Sequence, residues 1–251
     1  MPKVEIKPLL LAQIDLPDSH PEGPGTDVIY GFLVRDGPDC VLVDTGVGTG
    51  SALIERLYKP NRVELEAAIV AAGESIDQVT AVVNSHLHFD HCGNNSLFPD
   101  VPIFVQQAEL DASRQLHYTV AKWVDFPHAN YVPVSGDQLI TANLQLLHTP
   151  GHTPGHQSLM IRSGKHVAII VAQATYSAAE FERFVSHGVK PTNAADRLAV
   201  DAYLESNATW SETAYLSSVN VLRRSRPNQA FFSHDSVAWE RAVQKDDSPG
   251  Q

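Results

Sequence analysis

The sequence has little cysteine, little basic charge and no long apolar run. Its two cysteines, Cys40 and Cys92, can form at most one disulfide, which excludes a disulfide scaffold and indicates a reducing, cytoplasmic setting. Eighteen basic residues face 29 acidic ones, for a formal net charge of −11. That surface argues against a nucleic-acid partner. No stretch reaches the roughly 18 apolar residues of a membrane helix, and the start lacks the features of a signal peptide.

The rest of the composition is that of an ordinary globular protein. Hydrophobic residues make up 43% of the chain and charged residues 19%, which suffices for a sizeable core. No repeat, low-complexity stretch or linker divides the sequence. We therefore expect one domain over residues 1–251.

Apolar periodicity predicts strands and helices in alternation. The first half has a strand in "MPKVEIKPLLLAQID", a hairpin from "VIYGFLVRDG" and "CVLVDTG", strands in "VTAVVNSH" and "VPIFV", and helices in "RVELEAAIVAAG" and "QQAELDASRQL". The second half has strands in "LQLLHTPGH", "QSLMIRSG", "KHVAIIVAQATY" and "AFFSHDS", and helices in "NAADRLAVDAYLES" and "SETAYLSSVNVLRRS". This order predicts two sheets packed face to face, with helices outside.

The middle of the chain, residues 116–134, is aromatic and irregular. Long loops of this kind are often lids or binding loops. Trp123, Phe126 and Tyr131 are candidates for an apolar slot that would receive part of a substrate. The alternative is a surface loop that packs its own aromatic side chains.

The stretch "SHLHFDHCG", residues 85–93, holds three histidines and one aspartate. His86 and His88 are two residues apart, so in an extended segment both side chains can face one ion. Asp90 and His91 follow in a turn that can direct them to a second ion. Imidazole and carboxylate are normal zinc ligands, and three protein ligands leave a position for water, as in catalytic sites. Scattered structural histidines are the alternative, which the clustering disfavours.

Two later segments complete a recognisable set. "HTPGHTPGH" holds His148, His152 and His156, and "FFSHDS" places His234 at a strand end. Together with H-x-H-x-D-H at 86–91 and "VLVDTG" at 41–46, these segments resemble the metallo-β-lactamase superfamily. The resemblance covers most of the chain, from about Gly31 to Ser236.

The resemblance implies an α/β fold, a four-layer αβ/βα sandwich. It also implies two divalent metal ions, zinc by default, with iron, manganese or cobalt compatible with the same ligands. One ion would be bound by His86, His88 and His152, and the other by Asp90, His91 and His234. Asp44 and His156 would orient the ligands, and His148 would be structural.

Within the superfamily the chain is most similar to the N-acyl homoserine lactonases, which are quorum-quenching enzymes. "SHLHFDHCG", "FFSHD" and a tyrosine after the strand at "QATY" carry this likeness. It implies a small-molecule lactone or ester substrate whose ring is opened by metal-bound hydroxide. Tyr176 would polarise the carbonyl, and Asp90 would relay a proton to the leaving oxygen.

One position departs from that pattern. Gln173 stands where those lactonases carry a metal-bridging aspartate. A neutral amide cannot offset the repulsion between two dications as a carboxylate does. The ions would be joined only by hydroxide, or one would be bound tightly and one loosely. We expect a dinuclear site of reduced affinity.

Two other functions fit the same residues. Another hydrolase of this fold, acting on an ester, thioester or lactam, would share the ligands and the attack. A metal-binding protein with weakened catalysis is the second alternative, and Gln173 is the feature in its favour. A homodimer, formed through the first strand or the "YLSSVNVL" helix, is also open.

Overall fold

The structure is a computed structural model that describes residues 4–18, 24–116, 118–183 and 212–241. One sheet contains β1 (Glu5–Leu16), β2 (Gly25–Asp36), β3 (Asp39–Val43), β4 (Asn61–Arg62), β5 (Ala81–Val83), β6 (Pro102–Gln106) and β7 (Asn130–Val134), in the order β4-β1-β2-β3-β5-β6-β7. The other contains β8 (Gln138–Leu139), β9 (Leu144–His148), β10 (Gln157–Ser163), β11 (His166–Ala172), β12 (Gln229–Phe232) and β13 (Asp235–Glu240), in the order β13-β12-β11-β10-β9-β8.

Among the described residues, the helices are short except for the last. They are α1 (Ala52–Tyr58), α2 (Leu65–Ala71), α3 (Gln107–Ser113), α4 (Ala121–Val124), α5 (Ala178–Phe181) and α6 (Glu212–Arg224). Single 3₁₀ turns lie at Ile76–Gln78 and Asn95–Leu97. In the part of the chain that the structure describes, no helix is long and apolar enough to cross a membrane.

Successive side chains of a strand point to opposite faces of its sheet, and each sheet has a buried cluster on both faces. Alternate residues of the two sheets meet in a central core that includes Phe32, Val34, Val41, Val43, Leu144, Leu146, Leu159 and Ile161. On the outer face of the first sheet, Leu33, Leu42 and Val82 pack against α2. On that of the second, Met160, Ile169 and Val171 pack against α6. This confirms the predicted four-layer sandwich.

Two predictions about local structure were wrong. The middle segment is not one loop, since it contains α4 and also β7, which pairs in parallel with β6 at the edge of the first sheet. Buried and exposed side chains do not alternate regularly along β7, so the strand lacks the two-residue period from which strands are predicted. "AFFSHDS" is not one strand either, because β12 ends at Phe232 and β13 returns antiparallel after a turn at Ser233 and His234. The predicted "NAADRLAVDAYLES" helix lies outside the described residues.

The topology brings the candidate residues to one end of the sandwich. Strands β3, β5 and β6 are mutually parallel, and β11 is parallel to β12. Asp44 follows β3, the histidine stretch follows β5, Gln173 follows β11 and His234 follows β12. Because the carboxyl ends of parallel strands share one edge of a sheet, segments far apart in sequence converge there.

Candidate metal centre

Three histidines from two loops form the first group. The Nε2 atom of His152 lies 3.1 Å from Nε2 of His86 and 3.1 Å from Nδ1 of His88. Burial lowers the pKa of His88 to about 4 and, together with the neighbouring histidines, holds the pKa values of His86 and His152 well below the ordinary range. All three rings therefore favour the neutral form, and their facing nitrogens lie together in one small space. This donor set fits a divalent metal ion.

A second group of three lies beside the first. Oδ2 of Asp90 lies 3.4 Å from Nε2 of His91 and 3.6 Å from Nε2 of His234. Both of those nitrogens are buried without a hydrogen-bond partner among the described residues. Unpartnered buried nitrogens cost free energy, and a cation that accepts their lone pairs would remove that cost. This group therefore also fits a divalent ion.

Asp44 orients His91 by contacting the ring nitrogen that faces away from Asp90. The carboxylate of Asp44 accepts the backbone N–H and the hydroxyl of Ser85, both at 2.7 Å, and lies 2.9 Å from Nδ1 of His91. Burial alone would lower the pKa of His91, but Asp90 and Asp44 outweigh it and raise that pKa to about 10. Burial would likewise raise the pKa of Asp90, but His91 and His234 outweigh it and keep that carboxylate ionised.

The sequence reasoning missed Asp27, which contacts His234. Oδ2 of Asp27 lies 2.8 Å from Nδ1 of the His234 ring. The two residues come together because the backbone N–H of Tyr30, on β2, donates to the carbonyl of Ser233. The distance is that of an ion pair, and Nδ1 of His234 has no hydrogen-bond partner among the described residues. A carboxylate beside the far nitrogen of a ligand histidine is the usual group that orients its ring. No local signal in the sequence marks this pairing.

His156 and Gln173 lie next to the two groups. One nitrogen of the His156 ring, Nδ1, is 3.0 Å from the carbonyl oxygen of Thr149, and the other accepts the backbone N–H of Gln173 at 3.2 Å. Burial lowers the pKa of His156 to about 3. The side-chain oxygen of Gln173 is buried without a hydrogen-bond partner among the described residues. Both ring nitrogens of His156 are thus in contact with backbone groups, whereas the side-chain oxygen of Gln173 has no donor among the described residues.

Tyr176 and His148 differ in their distance from the cluster. The Tyr176 hydroxyl lies 3.4 Å from Nδ1 of His152, and its ring centroid is 5.9 Å from that of His234. Its backbone N–H donates to Glu180 at 2.6 Å, which fixes the segment after β11. His148 belongs to neither donor group, and its Nε2 lies 3.2 Å from the carbonyl oxygen of Pro154. The hydroxyl of Tyr176 therefore lies at the border of the first group.

The three aromatic residues predicted for a substrate slot are packed against the core. Trp123 is 4% exposed, and its Nε1 donates to the carbonyl of Thr49 at 3.2 Å. Phe126 and Tyr131 lie against the outer face of the first sheet with their rings 6.3 Å apart. Packing accounts for all three residues, so the substrate slot stays a prediction.

An α/β sandwich with buried histidines and an aspartate gathered at one end of two sheets defines a class of metal-binding folds. Residues 24–234 match the family model of the metallo-β-lactamase superfamily, and the chain belongs to that superfamily. The resemblance noted in the sequence is thereby confirmed.

Similar proteins are N-acyl homoserine lactonases. One from Bacillus sp. is 34% identical over 169 residues, which cover 62% of this chain and 66% of that protein. This chain therefore spans just under two thirds of that relative. A solved N-acyl homoserine lactone hydrolase with the product N-hexanoyl-L-homoserine at its catalytic metal centre is 25% identical, with a TM-score of 0.66 and 93% of each chain covered. A Bacillus thuringiensis structure with N-decanoyl-L-homoserine at its active site gives the same identity and TM-score and covers 93% of this chain and 93% of that one.

Proposed function

We propose that this protein is a metal-dependent hydrolase that opens the lactone ring of N-acyl homoserine lactones. The observation that carries the proposal is the convergence of two three-residue donor groups beside the hydroxyl of Tyr176. The likeness to lactonases across most of the fold supports the choice of substrate.

In this proposal each group binds one divalent ion. His86, His88 and His152 bind the first, and Asp90, His91 and His234 bind the second. Zinc suits these ligands, as do iron, manganese and cobalt. When bound, the ions would act as Lewis acids on the lactone carbonyl and lower the pKa of bound water toward neutrality.

The protein's own groups orient the substrate and move the proton. The hydroxyl of Tyr176, at the border of the first group, donates a hydrogen bond to the lactone carbonyl oxygen as that oxygen gains negative charge. Asp90 is ionised and accepts the proton that the attacking water gives up. It then passes that proton to the ring oxygen as the C–O bond breaks. Asp44 and Asp27 hold the rings of His91 and His234.

We also propose that the two ions bind with unequal affinity. The two donor groups contain one carboxylate, Asp90, and Gln173 adds only an uncharged oxygen. One negative charge offsets little of the repulsion between two dications. Metal analysis after dialysis should find one ion retained and one lost, and Gln173→Asp should retain both. Two equally retained ions in the unsubstituted protein would contradict this.

A pH-stat assay tests the activity. Metal-saturated protein is given acyl homoserine lactones of short and long chain, simple γ-lactones and a β-lactam. Proton release well above the rest with acyl homoserine lactones supports the proposal. Release only with the other substrates assigns the same site to a different hydrolase, and silence assigns the protein to metal binding without turnover.

A matched pair of variants links that activity to the site. His148 ends β9 and His152 lies in the turn that follows it, but only His152 belongs to a donor group. His152→Ala should abolish turnover, and His148→Ala should keep it. Single-domain organisation over residues 1–251 and homodimer formation stay predictions, and light scattering of the purified protein tests the second.

A further inference from the structure

Helix α3 carries a buried carboxylate that belongs to neither donor group. Glu109 is 0% exposed, and its hydrogen-bond partners are all uncharged. Burial raises its pKa. A buried carboxyl group costs free energy unless its hydrogen bonds are satisfied. The groups that hydrogen-bond to Glu109 therefore indicate its structural role.

One carboxylate oxygen holds the loop that carries His86 and His88. Oε1 of Glu109 accepts the backbone N–H of Leu87 at 2.8 Å and the hydroxyl of Tyr118. Leu87 lies between the two histidines, and its own side chain is buried in an apolar cluster. The ring of Tyr118 lies 5.0 Å from the ring of His88. Glu109 therefore fixes the peptide between the two ligands and the aromatic ring beside one of them.

The other oxygen holds the turn that carries His152. Oε2 of Glu109 accepts the hydroxyl of Thr153 at 2.7 Å and the backbone N–H of Gly155 at 3.1 Å. A Cβ atom on Gly155 would lie 2.3 Å from the backbone nitrogen of Glu109, so only glycine lets the turn approach α3 this closely. A single carboxylate thus joins two loops that are far apart in sequence.

The second donor group is held by other carboxylates. Asp44 contacts His91 and Asp27 contacts His234. Asp44 also reaches His86, through the hydroxyl of Ser85, which lies 3.1 Å from Nδ1 of that ring. The contacts of Glu109 lie next to His86, His88 and His152 and next to neither histidine of the second group. We propose that Glu109 is the positioning residue of the three-histidine group, and that losing its ties weakens metal binding there and not at the second group. This inference rests on the proposed metal-dependent function.

The test compares two substitutions at one position. Thr153→Val keeps the shape of the side chain and removes the hydroxyl that Glu109 accepts, and Thr153→Ser keeps the hydroxyl. The metal-free proteins are titrated with Co²⁺ by calorimetry and visible absorption. His152→Ala and His234→Ala identify the absorption bands of the two groups. Thr153→Val should bind Co²⁺ about 10-fold to 100-fold more weakly in the band that His152→Ala loses, with the other band unchanged. Thr153→Ser should match the unsubstituted protein.

Each other outcome overturns a defined statement. Equal affinities in Thr153→Val and the unsubstituted protein, or a loss confined to the band that His234→Ala lacks, refute the role of Glu109. Absence of the His152-dependent band from the unsubstituted protein refutes the proposed metal function instead. Glu109→Gln should show a larger loss in the same band, since an amide can accept at only one of its two ends. If that variant does not fold by circular dichroism, the Thr153 pair decides.

Discussion

Replacing Asp44 with asparagine should disable one donor group while leaving the fold intact. Asp44 accepts three hydrogens at its two oxygens, from the N–H and hydroxyl of Ser85 and from Nδ1 of His91. An amide offers one oxygen. If that oxygen stays on the N–H of Ser85, the amide NH₂ faces His91. If the amide flips, the NH₂ faces the N–H of Ser85. In either orientation the amide NH₂ therefore faces another hydrogen-bond donor, the Nδ1–H of His91 or the backbone N–H of Ser85.

The consequence reaches the metal site through the tautomer of His91. With Asp44 present, its carboxylate accepts a hydrogen bond from Nδ1, so Nε2, which has no hydrogen-bond partner among the described residues, is the nitrogen that a metal ion would take after displacing its proton. In the Asp44→Asn variant the ring avoids the clash by losing the proton on Nδ1 and keeping the one on Nε2, which is the nitrogen directed at Asp90. A ring that can give up that proton only by restoring the clash binds metal more weakly. Loss of such a partner typically costs 10-fold to 100-fold in affinity, about 1.4–2.7 kcal/mol.

Calorimetric titration of the metal-free protein with Zn²⁺ measures the affinity, and urea unfolding measures the stability. We expect Asp44→Asn to lower the free energy of unfolding by about 1.5–3 kcal/mol, the range for a buried hydrogen bond to a charged group. Asp15→Asn is the matched control, because its carboxylate forms an exposed ion pair with Lys59 and such pairs contribute little. If Asp44→Asn bound both ions as tightly as the control, the tautomer argument would be wrong.

Three further predictions concern the hydroxyl of Tyr176, the close backbone contact at Gly93 and the two cysteine thiols. Tyr176→Phe should lower kcat about 10-fold or more while metal content stays unchanged, and an unchanged rate would leave Tyr176 as packing. Gly93→Ala should lower the free energy of unfolding by about 3 kcal/mol or more, because the new Cβ would lie 1.8 Å from the backbone nitrogen of Gly48. Gly25→Ala is the control, since a Cβ there has open space and should leave the stability unchanged. Equal urea midpoints for the two variants would contradict this prediction. Cys40 and Cys92 should resist iodoacetamide at pH 8 until urea unfolds the protein, because burial raises the pKa of both thiols, that of Cys92 to about 12, and leaves little reactive thiolate. A mass adduct on the folded protein would count against it.

Local pattern in the sequence determined the architecture and the candidate ligands. The apolar run of "CVLVDTG" predicted a strand of a hairpin, and the structure places Val41 and Val43 in the central core and Leu42 against α2. The six candidate ligands were visible because four of them lie within residues 86–91 and the others lie in short, distinctive segments. The spacing of His86 and His88 lets both side chains face one ion in an extended segment, and the roles of His152 and His234 followed from the family resemblance, so neither needed the tertiary structure.

Asp44 was expected from the sequence, but only the tertiary structure decided the places of Asp27 and Glu109 and of the edge strands. Asp27 meets His234, and Glu109 meets Leu87 and Thr153, through contacts between elements that no local pattern connects. Strands β7 and β13 lie at the ends of their sheets, where one neighbouring strand rather than an apolar period defines them. The same applies to the aromatic residues of the middle segment, since composition alone cannot separate a core side chain from one that lines a slot. Such positions depend on the packing of distant segments, which is a property of the folded chain as a whole.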